Sequence, residues 1–340
     1  MRFRLLLLCL PVLLGACSKT NPGVQLDLIG ATGLTSGNRT ASPSDTLLTR
    51  VYAVGNNDSL RRLRIVVNYE PGLTPIAYPT PLSSFDPAKN APEPQEIVYL
   101  DSLIKPAYKS TPPFPGGEYL FNNSFAARTT SGTERWQYTI TDKQGETASR
   151  AYRITVRQSD SAQVYHRYTA LLRPVPGNRL RADSLRAVRR VFLNLRTGLL
   201  LPKFAVLSRV PLAANQALVD LIALSADGNS VSLSSPSDAR VLNLSNARWP
   251  TRRTTVLKST ILSDTNFANA NTAAAFTSAF AAGNDFPAVT NTGPLSKNQV
   301  IAFQVQDDGG AVYTGLLLVT NIVLGTSPTV ACTVKVQKVP

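Results

Sequence analysis

The residues able to do chemistry are few. A single histidine, His166, lies in Val164-Tyr165-His166-Arg167-Tyr168. Any Ser-His-Asp or Cys-His site would have to use it, and a metal site built on two histidines is impossible. His166 alternates with Val164 and Tyr168 on a predicted strand, which assigns it a structural or surface role. The Gly-x-Ser-x-Gly turn, the phosphate-binding P-loop and the Gly-x-Gly-x-x-Gly fingerprint do not occur, so neither a serine hydrolase nor a nucleotide site is supported. Asp307-Asp308 is the obvious carboxylate pair, and a glycosidase needs only two acids about 5 to 10 Å apart. The pair precedes Gly309-Gly310 between two strand patterns, however, where Asp and Gly are ordinary turn residues. Cys332 sits in the alternating stretch Thr329-Val330-Ala331-Cys332-Thr333-Val334 and reads as a small buried hydrophobe. No cofactor and no metal are expected.

Charge is the stronger signal. Lys and Arg number 35 against 21 Asp and Glu, a formal net charge of +14. Arginine outnumbers lysine 25 to 10, and between Arg150 and Arg253 there are 17 basic residues for 5 acidic ones. Arg179, Arg181, Arg186, Arg189, Arg190 and Arg196 form the densest run. They are the candidate anion-binding site, because guanidinium forks suit phosphate and carboxylate.

The N-terminus, MRFRLLLLCLPVLLGAC, carries Arg2 and Arg4, an apolar run from Leu5 to Leu14, and then small residues. This is the layout of a secretory signal peptide, and the run is shorter than the roughly 20 residues a spanning helix needs. Leu14-Gly15-Ala16-Cys17 resembles the lipobox of bacterial lipoproteins at every position. The resemblance implies cleavage before Cys17, acylation of its thiol and of the new N-terminus, and attachment to a membrane. By the same resemblance, Ser18, where Gram-negative lipoproteins kept in the inner membrane carry an Asp, implies the outer membrane. The lack of acidic residues in 18–25 favours its periplasmic face. Cys9 leaves with the signal and Cys17 takes lipid, so Cys332 alone cannot form an internal disulfide. In that compartment the partners expected of a basic surface are an acidic glycan, lipopolysaccharide or other envelope proteins, and not nucleic acid.

The elements that must position these residues are mostly strands. Residues 1–16 read as the lipoprotein signal peptide and 17–23 as a lipidated tether ending at Pro22-Gly23. Alternation then marks Gln25-Ile29, Leu47-Val54, Leu63-Tyr69, Glu96-Leu100 and Tyr119-Phe125 as strands. In RWQYTITDKQGETASRAYRITVR, residues 135–157, Trp136, Tyr138 and Ile140 alternate with polar residues, Asp142-Lys143-Gln144-Gly145 turns the chain, and Tyr152, Ile154 and Val156 alternate back. This hairpin resembles the closing strands of bacterial immunoglobulin-like, cadherin-like and PKD-like domains. The resemblance implies an immunoglobulin-like β-sandwich over 24–157, without the acidic calcium motifs of true cadherin repeats. Eleven of the 24 prolines fall between Pro71 and Pro115, which therefore holds long irregular connections.

A polar linker at 158–162 leads to a β-rich domain with a few short helices over 163–340. A strand is predicted over Val164-Leu172, and a short helix begins at Asp183 with Leu185 and Val188 inward. A hairpin spans 192–201, and further strands cover Leu218-Leu224 and Val231-Leu233. One helix runs from Ser263 to Ala282 and stops at Gly283, and strands return at Val300-Val305, Tyr313-Val323 and Val330-Val336. This part resembles the C-terminal domains of Bacteroidota lipoprotein families of unknown function, which implies no activity. The expected function is a non-enzymatic cell-envelope lipoprotein with a binding or scaffolding role. The first alternative is a carbohydrate-binding component of a glycan-uptake system, displaying Trp136, Trp249, Tyr165 and Tyr168. The second is a carboxylate-based glycoside hydrolase.

Overall fold

A computed structural model describes residues 22–104, 115–157, 162–174, 176, 189–207, 212–238 and 249–340. The signal region with Cys9 and Cys17, linker residues 158–161, and the stretch holding Asp183, Leu185 and Val188 lie outside the described residues. The described residues are mostly β, at 46% strand and 11% helix.

The described residues of the first part form eight strands: β1 (Val24–Leu28), β2 (Arg39–Ala41), β3 (Thr46–Gly55), β4 (Leu60–Glu70), β5 (Gln95–Leu103), β6 (Glu118–Ala126), β7 (Gly132–Asp142) and β8 (Thr147–Val156). They form two sheets, ordered β1-β3-β6 and β2-β8-β7-β4-β5, that share one apolar interior. The period of two decides which side chains enter it. Trp136, Tyr138 and Ile140 of β7 are buried, as are Tyr152, Ile154 and Val156 of β8. Trp136 meets Phe125 of the facing sheet with ring centroids 4.0 Å apart. Gly145 closes the hairpin at φ +91°, a left-handed position open to glycine at little cost. A buried polar cluster joins the two sheets: Asn123 Nδ2 donates to the Tyr138 hydroxyl at 2.9 Å, and the Tyr152 hydroxyl lies 2.9 Å from that of Tyr138 and 2.6 Å from Thr49 Oγ1. Alternation gives no sign of β2, three residues that pair in parallel with β8. The connection after Pro71 is irregular as the prolines require, with a short helix α1 (Pro87–Asn90) capped by Asp86.

The second part contains β9 (Tyr165–Leu172), β10 (Arg190–Leu193), β11 (Leu200–Pro202), α2 (Lys203–Val206), α3 (Ala213–Gln216), β12 (Leu221–Leu224), β13 (Ser232–Ser234) and β14 (Thr255–Ser259). It continues with α4 (Asp264–Asn269), α5 (Ala273–Ala282), β15 (Asn284–Asp285), β16 (Val300–Gln306), β17 (Val312–Val323) and β18 (Thr329–Gln337). The hairpin predicted over 192–201 is present as β10–β11. The single helix predicted over Ser263–Ala282 is corrected to two. Ser263 and Asn266 form a capping box for α4, that helix ends at Ala270, and Thr272 caps α5.

Two sheets result, β11-β10-β12-β13 and β15-β14-β16-β17-β18-β9. The smaller one is a middle layer. Leu193, Leu221, Ala223 and Leu233 face the six-stranded sheet, while Phe192, Leu201, Ile222 and Leu224 join the interior of the sandwich. Strands covered on both faces need no polar side, which is why VFL, LLLP and LIAL read as unbroken apolar runs. The outer face of the six-stranded sheet is covered by Phe267 of α4 and Phe276 of α5.

Strands β1 to β8 and strands β9 to β18 lie in separate sheets, yet residues of both contribute to one interior. Phe204 of α2 enters between Tyr99 of β5 and Phe121 of β6, with centroids at 5.7 and 5.6 Å. Asn215 Nδ2 of α3 donates to the Val98 carbonyl of edge strand β5 at 2.8 Å. The sandwich therefore shares its core with the middle sheet, and helices shield an edge strand that would otherwise be open to pairing.

Candidate functional site

The arginine run was expected to act as a group. Arg179, Arg181 and Arg186 lie outside the described residues. The other three reach separate partners. Arg189 donates to the Pro174 carbonyl and to Ser327 Oγ, both at 3.0 Å. Arg190 is buried and donates to Thr46 Oγ1 of the sandwich at 2.8 Å. Arg196 pairs with Asp307 at 3.0 Å and lies over the Tyr313 ring, 3.7 Å from its centroid. Each of these guanidiniums thus contributes to holding elements together.

The two aspartates beside that run are turn residues with ionic partners. Asp307 Oδ1 accepts the amides of Gly309 and Ala311 at 3.0 and 2.9 Å. Partial burial would raise its pKa, but the Ala311 amide and Arg196 outweigh this and hold the carboxyl below its ordinary range. A general acid needs the opposite shift. Asp308 pairs with Arg253 at 2.8 Å, and Arg253 reaches on to Asp220 at 3.1 Å. Asp220 is fully buried and also accepts the Leu195 amide, and burial pushes its pKa up to about 6 against the pull of Arg253. Sequence reasoning did not single out Asp220 or Arg253, because the residues are 33 apart and neither stands in a recognisable motif.

His166 is a structural residue at the junction of the two parts. Its Nε2 lies 2.8 Å from Thr129 Oγ1, which is itself 2.5 Å from the Thr197 carbonyl. The threonine has one proton and gives it to that carbonyl, so Nε2–H is assigned as donor to Thr129. Burial, with Lys338 nearby, pushes the imidazole pKa down to about 3. Gly198, at φ +72°, completes the contact, since a Cβ there would fall 2.4 Å from Thr129 Cγ2. Cys332 is buried with its thiol pKa pushed up to about 12 by burial. The four aromatics considered for a glycan platform are not displayed. Trp136, Trp249, Tyr165 and Tyr168 are all buried, and their polar atoms bond inward to Glu134, the Thr251 carbonyl, Asn271 and the Leu195 carbonyl.

A different surface remains open: the outer face of the five-stranded sheet. Register places Arg135 of β7 directly opposite Arg153 of β8, both exposed. Opposed positions on antiparallel strands have Cβ atoms about 5 Å apart, and like charges there are destabilising. Neither arginine forms an ion pair among the described residues. Their outward neighbours on the same two strands are Thr133, Gln137, Thr139, Ser149, Ala151 and Thr155, with no acid among them. Glu70 of β4 stands diagonally from Arg135 without pairing with it. On the other half of the face, by contrast, Arg62 makes a two-pronged pair with Asp101, and Arg64 lies 4.0 Å from Glu96. The alternation that buries Trp136 also turns Arg135 outward. Only the strand register brings Arg153 opposite it.

No family model and no curated protein matches the chain. Among solved structures it is similar to a DUF4466 family protein from Parabacteroides merdae, with 10% identity, 93% of this chain and 99% of that one covered, and a TM-score of 0.28. It is also similar to Spo0M, a sporulation control protein from Bacillus subtilis, with 11% identity, 65% and 82% coverage, and a TM-score of 0.25. The first comes from a member of the Bacteroidota. At these scores neither likeness bears on what the chain does.

Proposed function

We propose that the chain is a non-enzymatic lipoprotein of the cell envelope, with an immunoglobulin-like sandwich as its N-terminal unit and a binding or scaffolding role. Acyl chains on Cys17 hold it at the periplasmic face of the outer membrane. The observation that carries this reading is the complete Leu14-Gly15-Ala16-Cys17 site after a basic start and a short apolar run. Several acyl chains, at about 0.8 kcal/mol per buried methylene, anchor a protein far more firmly than one. The non-enzymatic half is supported by the use the fold makes of its reactive groups. His166 joins two parts, Cys332 fills a core, and Asp307, Asp308 and Asp220 are bound to arginines. The burial of Trp136, Trp249, Tyr165 and Tyr168 argues against a glycan platform made of those rings.

Labelled palmitate should enter the wild-type protein in membranes and fail to enter Cys17→Ala. A wild-type protein that stays unlabelled and soluble in the periplasm overturns the proposal.

A further inference from the structure

The open half of the five-stranded sheet's outer face is a surface whose composition favours one kind of partner. Arg135 and Arg153 are rooted opposite each other, exposed, and without an ion pair among the described residues. Packing does not require them, since their side chains point away from the interior that Trp136, Tyr152 and Ile154 fill. Their mutual repulsion is relieved when an anion sits between them, so the pair favours the bound state beyond what either arginine would alone. Around them Thr133, Gln137, Thr139 and Ser149 offer hydroxyl and amide groups on a flat surface. Ala151 is the one apolar residue among the outward positions of these two strands, and every aromatic ring they carry faces inward.

We infer that this half-face, β7 and β8 with the Arg135–Arg153 pair at its centre, binds a linear polysaccharide bearing carboxylates, of the polyuronate class. The two guanidiniums hold one carboxylate between them, and the threonines, serine and glutamine exchange hydrogen bonds with sugar hydroxyls. Single-stranded nucleic acid is disfavoured because its successive bases stack on aromatic side chains, and every aromatic ring of these two strands is buried. A lipid surface is disfavoured because nothing large and apolar stands on these strands to enter it. The excess of basic over acidic residues supplies a long-range attraction for any polyanion, while the opposed pair supplies the local recognition. The inference rests on the binding role proposed above and is independent of the lipid anchor.

The test uses the full-length protein in mild detergent, with polygalacturonate as probe and neutral dextran as control, followed by titration calorimetry at two salt concentrations. Wild type should bind polygalacturonate and not dextran, more weakly at the higher salt, where exposed charges are screened beyond about 8 Å. The double variant Arg135→Thr/Arg153→Thr should lose about tenfold or more in affinity, because charge-assisted bidentate contacts are the strong ones. Arg62→Gln/Arg64→Gln, on the neutralised half, should stay within about twofold, since paired surface arginines have little to offer a new anion. Thermal unfolding guards against a trivial loss, as the Arg135/Arg153 double variant is expected to be at least as stable as wild type. Undiminished binding in that variant overturns the site while leaving a glycan-binding role intact. Absence of polygalacturonate binding in wild type, or tighter binding to anionic phospholipid vesicles or to oligo-dT, overturns the partner. Palmitate labelling reads the anchor separately from all of these.

Discussion

The β7–β8 half of the sandwich's outer face and the second part of the molecule carry charge in opposite ways. Arg135 and Arg153 stand on an open sheet with no ion pair among the described residues, whereas Arg190, Arg196, Arg253 and Lys335 end on oxygens belonging to other segments of the fold. Lys335 of β18 is the fullest case. Its ammonium donates to the carbonyls of Phe267, Ala268 and Ala270 and to Asn271 Oδ1, all within 3.0 Å, and so holds the C-terminal end of α4 against the sheet. A high density of basic residues in sequence is therefore a poor guide to where an anion would bind. What matters is whether each cation already has an acceptor.

The largest expected effect lies where charge is most deeply committed. Arg253→Met leaves the buried Asp220 carboxylate without its partner and should destabilise the protein by about 3–5 kcal/mol in urea unfolding. A change under about 1 kcal/mol would mean that this pair is no more committed than a surface one. Next in size is a pH effect. An unfolded imidazole titrates near 6.5, whereas burial holds His166 at about 3, so the native state takes up fewer protons between these values. Its contribution to stability is complete above pH 6.5 and is lost as the pH falls toward 3. Glu134, pushed up to about 7 by burial, and Asp220 at about 6 act in the opposite sense, so stability associated with them rises as the pH falls through those values. His166→Gln keeps both carboxyls and removes only the first effect. Between pH 7.5 and pH 4 the variant's stability should change more favourably than the wild type's, by something on the order of 3 kcal/mol. Equal slopes would place His166 in contact with solvent.

Lys335→Met should cost about 1–3 kcal/mol, because it removes the donor shared by the carbonyls at the end of α4, of which that of Phe267 is buried. Hydrogen exchange should rise in α4 and α5 before the rest of the chain. The smallest effect has the opposite sign. Arg135→Thr/Arg153→Thr removes a like-charge pair and should leave the protein unchanged or raise its stability by about 0.2–1 kcal/mol, with threonine well suited to a strand. A clear destabilisation would show that these arginines serve the fold, and the contrast between displayed and committed charge would fail at its most important point.

How much of this was legible in the sequence depends on the range over which each feature is encoded. The β7–β8 hairpin was readable because Trp136, Tyr138 and Ile140 repeat at the strand period and Gly145 marks the turn. The split between α4 and α5 was readable in principle, since Ser263 and Thr272 are both capping residues, but the alanines between them look helical throughout. Strand β14 was hidden because Thr255–Ser259 is short and gains its identity from pairing with β16, some 45 residues later. The site was legible only in part. Alternation turns Arg135 and Arg153 to one face, but their opposition depends on register, and the partners that occupy Arg190 and Arg196 depend on tertiary packing.

The entry of Phe204 into the sandwich has a consequence for the order in which the protein can mature. Chains grow from the N-terminus, so β1 to β8 are made well before residue 204. During that interval Tyr99 and Phe121 lack the Phe204 ring that packs between them in the finished fold. A nascent sandwich is then a waiting intermediate with a bare apolar margin and an uncovered β5 edge, the surfaces that recruit chaperones or promote misassociation. Maturation of the first part is completed by the second, and a stalled or truncated product ending soon after residue 157 should be the form that cells degrade.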